Sequence, residues 1–321
     1  MYSTAEQKKS FKHYEKLLPE LREMIVDEMN PDDRCRFSQC SKLSHTEATS
    51  SKKYIYKLGI LFRSENIIEI AVSHNVCNPY KEDYKLKFNK GKDIMLMKCM
   101  KKGKKLWSVE LSKSTDLIQM ALQRFKELLR LYQDKIKVLR IQYLPCAGGT
   151  DFDLGISSLR NLKILSIDGD FDRLEFVSKI RRPLKCLSVY NNSHTHLLKE
   201  MIYQVQDGLY MPDLGLNNEQ FSRLEASDIF INMGEVTVEH VFNYIRSWQN
   251  GTIGRKMKMV HFYCPSPLFN VHQLFSLFGY EDQNVGANSY YRMKLTQFNN
   301  PGKEATFVGH QFDEVSVRFN D

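Results

Sequence analysis

The chain has 321 residues, enough for two or three domains, and 42% of them are hydrophobic, enough for a sizeable core. Its formal net charge of +8 is mild for this length and would assist contact with an acidic partner without requiring nucleic acid. The seven cysteines are scattered without a Cys-x-x-Cys pair, which excludes a disulfide framework or a zinc site as the organising feature, and we expect Cys35 and Cys40 to pack as small hydrophobes.

The N-terminus is polar and lacks the apolar core of a signal peptide. The chain has no apolar run of about eighteen residues that would predict a transmembrane helix. We therefore expect an intracellular protein, cytoplasmic or nuclear, with no membrane partner.

Residues 1–10 predict a loose leader, and residues 11–50 predict two short amphipathic helices, with Asn30 as the cap of the second helix and Pro31 at its first position. Phe37 and Cys40 continue an apolar face in the second helix. The first helix places its apolar side chains on one stripe: Leu17, Leu18, Leu21, Ile25 and Met29. About thirty residues cannot bury two such faces alone, so the surplus apolar surface needs a partner, in this chain or in another protein.

This segment resembles an F-box. The matching positions are a Leu-Pro start, a Glu-Leu pair, an Ile, an apolar residue, an acidic corner and an Arg, found here as Leu18, Pro19, Glu20, Leu21, Ile25, Met29, Asp33 and Arg34. The Cys-Ser-Lys at residues 40–42 resembles the nematode variety of the motif. The chain departs from the family pattern in one respect. Many F-boxes continue into a third helix with a bulky aromatic residue, whereas the corresponding segment here, residues 43–51, is short and polar.

F-boxes dock onto the Skp adaptor of cullin-based SCF ubiquitin ligases, so the resemblance implies a non-catalytic substrate-recognition subunit without cofactor or metal. It implies that the following residues lie at or beneath the adaptor interface: Leu18, Pro19, Leu21, Ile25, Met29, Pro31, Asp33, Arg34, Phe37 and Cys40. The alternative for the same residues is an ordinary helical hairpin that packs on its own domain.

Residues 51–112 change to strand-like patterns with turn candidates at Asn89-Lys-Gly and Lys102-Gly103, which predicts a small antiparallel sheet of hairpins. The stretch from Lys81 to Lys105 holds ten lysines against three acids, with aromatic residues interleaved. A nucleic-acid groove would use such residues, but we favour a solvated lysine face on an edge hairpin, which explains them without a ligand. The absence of arginine from the stretch weakens specific phosphate recognition.

Residues 113–321 predict an irregular leucine-rich-repeat-like array, so that the whole chain is of the α+β or α/β class. A helix capped by Ser114 or Thr115 comes first, with a continuous apolar stripe at Leu117, Ala121, Phe125, Leu128 and Tyr132. Similar strands follow at residues 136–141, 162–167 and 184–189, centred on Leu139, Leu165 and Leu187, and a short helix lies between the last two. Strand, turn and helix at this spacing are typical of such an array.

The later elements are less regular. We expect one helix over Leu197 to Val205, a second that is capped by Thr237 and ended by Asn250-Gly251, and a third from Asn270 to Phe278. We also expect strands at residues 226–232 and 258–264, and a tail of strands and turns. Residues 236–263, with Trp248 before Asn250-Gly251 and a strand, resemble the F-box-associated domain of nematode F-box proteins. That resemblance implies a C-terminal region that binds a target protein.

Two groups of residues suggest a metal site, and neither meets its requirements. The run Asp168-Gly-Asp170-Phe-Asp172 has Arg173 and Lys179 where an EF-hand loop needs Gly and Glu. His194 and His196 have no third ligand at a local spacing. No catalytic motif appears. The alternatives to a ligase receptor are a non-catalytic repeat scaffold whose N-terminal helices cap its core, or a basic nucleic-acid-binding protein.

Overall fold

The computed structural model describes residues 14–50, 55–64, 66–74, 82–91, 95–112, 116–142, 159–168, 180, 183–190, 199–212, 220, 223–232, 237–252, 258–263, 269–279, 290–310 and 314–320. The expected leader, the acidic run beyond Asp168, the helix that follows it and the pair His194 and His196 lie outside the described residues. The chain divides into two compact units, Met1–Arg140 with Asp153–Asn161, and Ile141–Phe152 with Leu162–Asp321.

The first unit begins with a 3-10 turn at Tyr14–Lys16 and three helices: α1 (Pro19–Glu28), α2 (Pro31–Ser38) and α3 (Lys42–Ser50). Asn30 caps α2 as expected, because its side chain accepts hydrogen bonds from the backbone N–H groups of Asp32 and Asp33, both at 3.0 Å. The polar segment after residue 42 is helical as well, with Ser44 and Ala48 buried. A third helix therefore forms without a bulky aromatic residue.

An antiparallel meander follows, as predicted: β1 (Lys57–Ser64), β2 (Ile67–Ser73), β3 (Tyr84–Lys90), β4 (Met95–Lys101) and β5 (Lys104–Leu111). The turn between β4 and β5 is the predicted Lys102-Gly103, where both residues have positive φ. A sixth strand, β6 (Val138–Gln142), lies beside β1. The prediction of a hairpin sheet after the N-terminal helices is confirmed.

Helix α4 (Leu117–Leu131) packs on β2 and β3 and on α2. Its cap is Asp116, whose side chain accepts from the backbone N–H groups of Ile118 and Gln119 at 2.9 and 3.1 Å, and not the expected Ser114 or Thr115. The predicted stripe is the buried one, since Ala121, Phe125 and Leu128 are fully buried. The F-box-like helices, the meander and α4 therefore share one core.

In the second unit, β7 (Ile164–Asp168), β8 (Leu184–Tyr190), β9 (Val205–Pro212), β10 (Asp228–Asn232) and β11 (Met259–Tyr263) run parallel and in this order. Their register stacks buried residues in a line, with Leu165 beside Leu187 and Leu187 beside Leu209. The expectation of a helix over Leu197 to Val205 was too long, because α5 (Lys199–Ile202) is a single turn and Val205 begins β9.

Helix α6 (Val238–Gln249) buries Val241, Ile245 and Trp248. It is followed by Gly251, whose φ of 72° is the left-handed conformation that favours glycine and terminates helices. The helix expected from Asn270 to Phe278 is α7 (Val271–Ser276), and Asn270 is its cap, because its side chain accepts from the backbone N–H of Gln273 at 3.1 Å. Three antiparallel strands, β12 (Tyr290–Gln297), β13 (Asn300–His310) and β14 (Glu314–Asn320), form the tail, and β14 pairs with β11.

Candidate adaptor-binding surface

Helix α1 exposes a group of large apolar side chains. Leu18, Leu21, Met24 and Ile25 are 41–65% exposed, whereas Val26, on the other side of the helix, is 1% exposed. A solvated helix normally turns its apolar stripe inward. Here the predicted stripe faces outward, so α1 presents an apolar surface that the described part of the first unit does not cover. We call these four residues the α1 surface.

The α1 surface is held in place from below by Arg34, whose side chain is fully buried. Its Nε donates to the carbonyl of Val26 at 3.2 Å, and its Nη2 donates to the carbonyls of Asp27 and Met29, both at 3.3 Å. These carbonyls lie at the C-terminal end of α1, where carbonyls lack the regular intrahelical hydrogen bond and form the negative end of the helix dipole. The guanidinium therefore fastens the C-terminal end of α1 onto α2.

Helix α2 is fastened in turn to α4. The buried carboxylate of Asp32 lies 3.1 Å from Arg124 Nε on α4 and 3.0 Å from Arg36 Nη2 one turn along α2. Burial raises the pKa of Asp32 above its ordinary value, and the two guanidinium groups oppose that rise. Arg36 also lies over the ring of Trp107 on β5, with its Cζ 5.3 Å from the ring centroid.

The third helix closes the arrangement from the other side. Arg22 on α1 and Glu47 on α3 form a shielded ion pair, with Nε and Oε1 2.7 Å apart. The hydroxyl of Tyr14 donates to the second oxygen of Glu47 at 2.7 Å, and burial together with this carboxylate raises the pKa of Tyr14. The Lys135 Nζ, just beyond α4, donates to the Thr49 carbonyl at 2.5 Å. All three helices are thus fixed relative to α4.

The structure separates the predicted site residues into two layers. An outer layer is exposed or half-exposed: Leu18, Pro19, Leu21, Ile25, Met29, Asp33 and Cys40. An inner layer is buried: Pro31, Arg34 and Phe37. Members of the inner layer pack beneath the surface and do not contribute exposed side-chain area to it. The expectation that Cys35 and Cys40 both pack inside is half wrong, since Cys35 is buried and Cys40 is exposed.

Met24 was missed, although it is one of the two most exposed members of the α1 surface. The signal was present in its position three residues after Leu21, on the same helical face. The predicted stripe, whose residues are mostly four apart, does not include it.

The basic stretch of the meander is partly neutralised. Glu69 on β2 is 7% exposed and lies 3.1 Å from Lys85 Nζ, 3.4 Å from Arg63 Nε and 3.7 Å from Lys87 Nζ. Burial alone would raise the pKa of Glu69, but the hydrogen bonds and charges of Lys85 and Arg63 outweigh it and hold that pKa below its usual value. Among the described residues, no group of three or more His, Cys, Asp or Glu could hold a metal ion.

Residues 15–56 match the family model of the F-box domain. The matched segment contains α1, α2 and α3 and every residue of both layers. No curated protein and no solved structure matches the chain. F-box domains bind the Skp adaptor in SCF complexes and F-box proteins are generally non-catalytic adaptors, so the match indicates an SCF-type adaptor role. None of the described helices is long and apolar enough to cross a membrane.

Proposed function

We propose that this protein is the substrate-recognition subunit of an SCF-type ubiquitin ligase. The observation that carries the proposal is the α1 surface within the matched F-box: four large apolar side chains face outward at α1, and the inner side of this helix is fixed to α2 and α3. A rigid, exposed apolar helix face fits a permanent protein partner better than solvent. In this proposal the partner is the Skp adaptor, and the adaptor in turn binds the cullin.

The second unit would hold the target protein. Its parallel strands stack apolar residues at nearly constant sequence intervals, from Leu165 through Leu187 and Leu209 to Ile229. This regularity supports the leucine-rich-repeat-like array. The segment with Trp248 and Gly251 would belong to an F-box-associated domain of the nematode type, in which Trp248 serves the core, as its contact with Phe319 at 5.0 Å suggests.

The mechanism would be proximity, without catalysis by this chain, in the cytoplasm or nucleus. The F-box holds the adaptor and hence the ubiquitin-charged enzyme, while the second unit holds a target. Bringing target lysines close to that enzyme raises their effective concentration and converts a bimolecular encounter into one within a complex.

The test is a pulldown of the purified full-length protein with recombinant Skp adaptor. In the variants Leu21→Asp and Ile25→Asp, the new carboxylate is buried without a partner at the interface, a loss of about 3–5 kcal/mol. We expect affinity to fall by more than about a hundredfold, since roughly every 1.4 kcal/mol is a factor of ten.

The matched control is Leu277→Asp, which changes a leucine of similar exposure (46%) in the second unit. It should bind the adaptor like the wild type, and circular dichroism should show all three variants folded. Retained binding in Leu21→Asp and Ile25→Asp would mean that α1 is not the interface. No binding by a folded wild type would favour the repeat scaffold.

A further inference from the structure

The parallel strands of the second unit carry a row of aromatic side chains on the face opposite their core. Residues alternate along these strands, so Leu209, Ile229 and Val260 are fully buried while the side chains between them are partly or well exposed. Strand pairing brings together five aromatic residues from four strands: Tyr190, Tyr210, Phe230, His261 and Tyr263. We call these five the aromatic row. Its three tyrosines are 37–44% exposed.

The rings of the aromatic row stack on one another. Phe230 lies between two neighbours, with ring centroids 4.8 Å from His261 at an interplanar angle of 14° and 6.1 Å from Tyr210 at 28°. A Cβ on Gly208 would come within 3.2 Å of Tyr210 Cε2, so the absence of a side chain there lets the Tyr210 ring lie against the backbone. The faces of the central rings are therefore covered by each other, and a partner meets their edges, which carry partial positive charge.

Two arginines extend the same face. His261 on β11 pairs with Ser316 on β14. Arg318 lies two residues after Ser316 and is therefore the diagonal neighbour of His261. Arg292 lies in the row of Ser316, two strands further on. Both are exposed, and neither forms an ion pair with any residue in the described part of the chain.

The acids with described side chains on this face are engaged by neighbours. Asp228 accepts a hydrogen bond from Ser227 Oγ, and Asp168 accepts one from Gln142 Nε2, both at 3.0 Å. Glu304 lies 3.5 Å from Lys294 Nζ. Asp228 and Asp168 keep their negative charges, because serine and glutamine are neutral donors, so the attraction for a partner's carboxylates is local to Arg292 and Arg318.

We propose that this face binds an acidic peptide segment of the target protein, with carboxylates at Arg292 and Arg318 and apolar side chains against the aromatic row. The inference rests on the proposed function, in which the second unit holds the target. Clustered tyrosines and arginines are the residues that dominate binding energy at protein interfaces. Nucleic acid is disfavoured because bases stack on open ring faces, and the faces of Phe230 are occupied.

The experiment selects a displayed library of random peptides on the full-length protein, held by an N-terminal biotin tag. We expect the selected peptides to be enriched in Asp and Glu, interspersed with apolar residues. One labelled peptide is then titrated by fluorescence polarisation against Tyr210→Ser and Arg318→Glu, each of which should weaken binding by about thirtyfold, as expected for residues at the centre of an interface. Phe298→Ser and Lys303→Glu, which change an exposed aromatic and an exposed cation outside the face, should bind as the wild type does.

Adaptor binding is measured on the same variants and should be unchanged in Tyr210→Ser and Arg318→Glu. Circular dichroism and urea unfolding should show that the second unit of both variants is folded. Selected peptides without acidic bias, or titrations that do not respond to these two variants, would overturn the proposal. Tighter binding of a labelled oligothymidine through the same two residues would overturn it in favour of nucleic acid. If the wild type binds acidic peptides through this face but does not bind the adaptor, the peptide-binding proposal is supported and the ligase function is wrong.

Discussion

Arg34 offers the sharpest test of how the candidate surface is built. The resemblance to an F-box places it among the adaptor-binding residues, whereas the structure buries it and turns it toward the end of α1. Replacing Arg34 with Met keeps a side chain of similar reach and removes the guanidinium. A direct contact and a positioning role predict different outcomes, because only the second makes the loss of adaptor binding follow a loss of stability.

The magnitude of the Arg34→Met effect follows from the carbonyls that it leaves behind. The Val26 carbonyl keeps the backbone N–H of Met29 at 3.2 Å, so the carbonyls of Asp27 and Met29 are the ones most affected. A buried carbonyl left unsatisfied costs about 1–3 kcal/mol, so roughly 2–6 kcal/mol is the upper limit for these two, whose hydrogen bonds are partly buried. Methionine needs no desolvation of a charge, which offsets part of this cost. We expect a net loss of about 2–4 kcal/mol.

The assay is urea unfolding followed by circular dichroism and by tryptophan fluorescence, since Trp107 lies against Arg36 of α2. Arg34→Lys keeps the charge but not the planar fork of donors, and should lose about half as much stability as Arg34→Met. Leu21→Asp is the opposite case. Because the Leu21 side chain is exposed, this variant should keep the stability of the wild type and lose only adaptor binding. If Arg34→Met unfolds like the wild type and still fails to bind the adaptor, Arg34 is a direct contact and the positioning role is wrong.

Two further predictions concern packing and charge. Gly309→Ala should destabilise the second unit by about 1–3 kcal/mol, the usual cost of overpacking, because the new Cβ would lie 2.5 Å from Val271 Cγ1 and 2.7 Å from Phe275 Cε2, both in buried side chains. Gly302→Ala on the same strand meets nothing closer than 3.5 Å and is the control in the same urea titration. Glu69→Gln should be less stable than the wild type at neutral pH, and the difference should disappear on acidification: the lowered pKa of Glu69 means that its ionised form stabilises the fold above the ordinary value of 4.5, and that this contribution is lost as pH falls through the folded-state pKa. A difference that persists undiminished in acid, well below that folded-state pKa, would show that Glu69 acts through packing rather than charge.

Local signals predicted most of the helices and their ends. The cap Asn30 and the stop at Gly251 depend only on neighbours within one turn, and the structure places both as expected. The stripe of α4 was correct for a related reason, since a long helix with a single apolar face has one way to bury it.

Local sequence signals could not predict which face of α1 is buried. Val26 is buried and Leu21 is exposed although both are large and apolar, because α2 and α3 pack on one side of α1 only. Burial of Arg34 was equally hidden, since an arginine is expected at the surface unless its donors find partners. The partners include backbone carbonyls of α1, and a pattern of side chains in the sequence does not predict hydrogen bonds to backbone groups.

The aromatic row was hidden for a different reason. Strand β9 was missed because Asp207 and Gly208 disfavour strand, and the residues before them looked helical. Without that strand Tyr210 had no predicted neighbour. Phe230 and His261 are far apart in sequence, with the whole of α6 between them, and only the parallel register of β10 and β11 brings their ring centroids to 4.8 Å.

The F-box and a packed helical hairpin were treated as alternatives for the N-terminal segment, and the structure shows that they are compatible. Helix α2 is tied to α4 through Asp32 and Arg124, which satisfies the inner side of the hairpin. Helix α1 keeps its outer side exposed, which leaves a surface for the adaptor. Burial of the inner layer makes the outer surface rigid, and a rigid surface loses less conformational entropy on binding. Packing on the body therefore favours adaptor binding instead of competing with it.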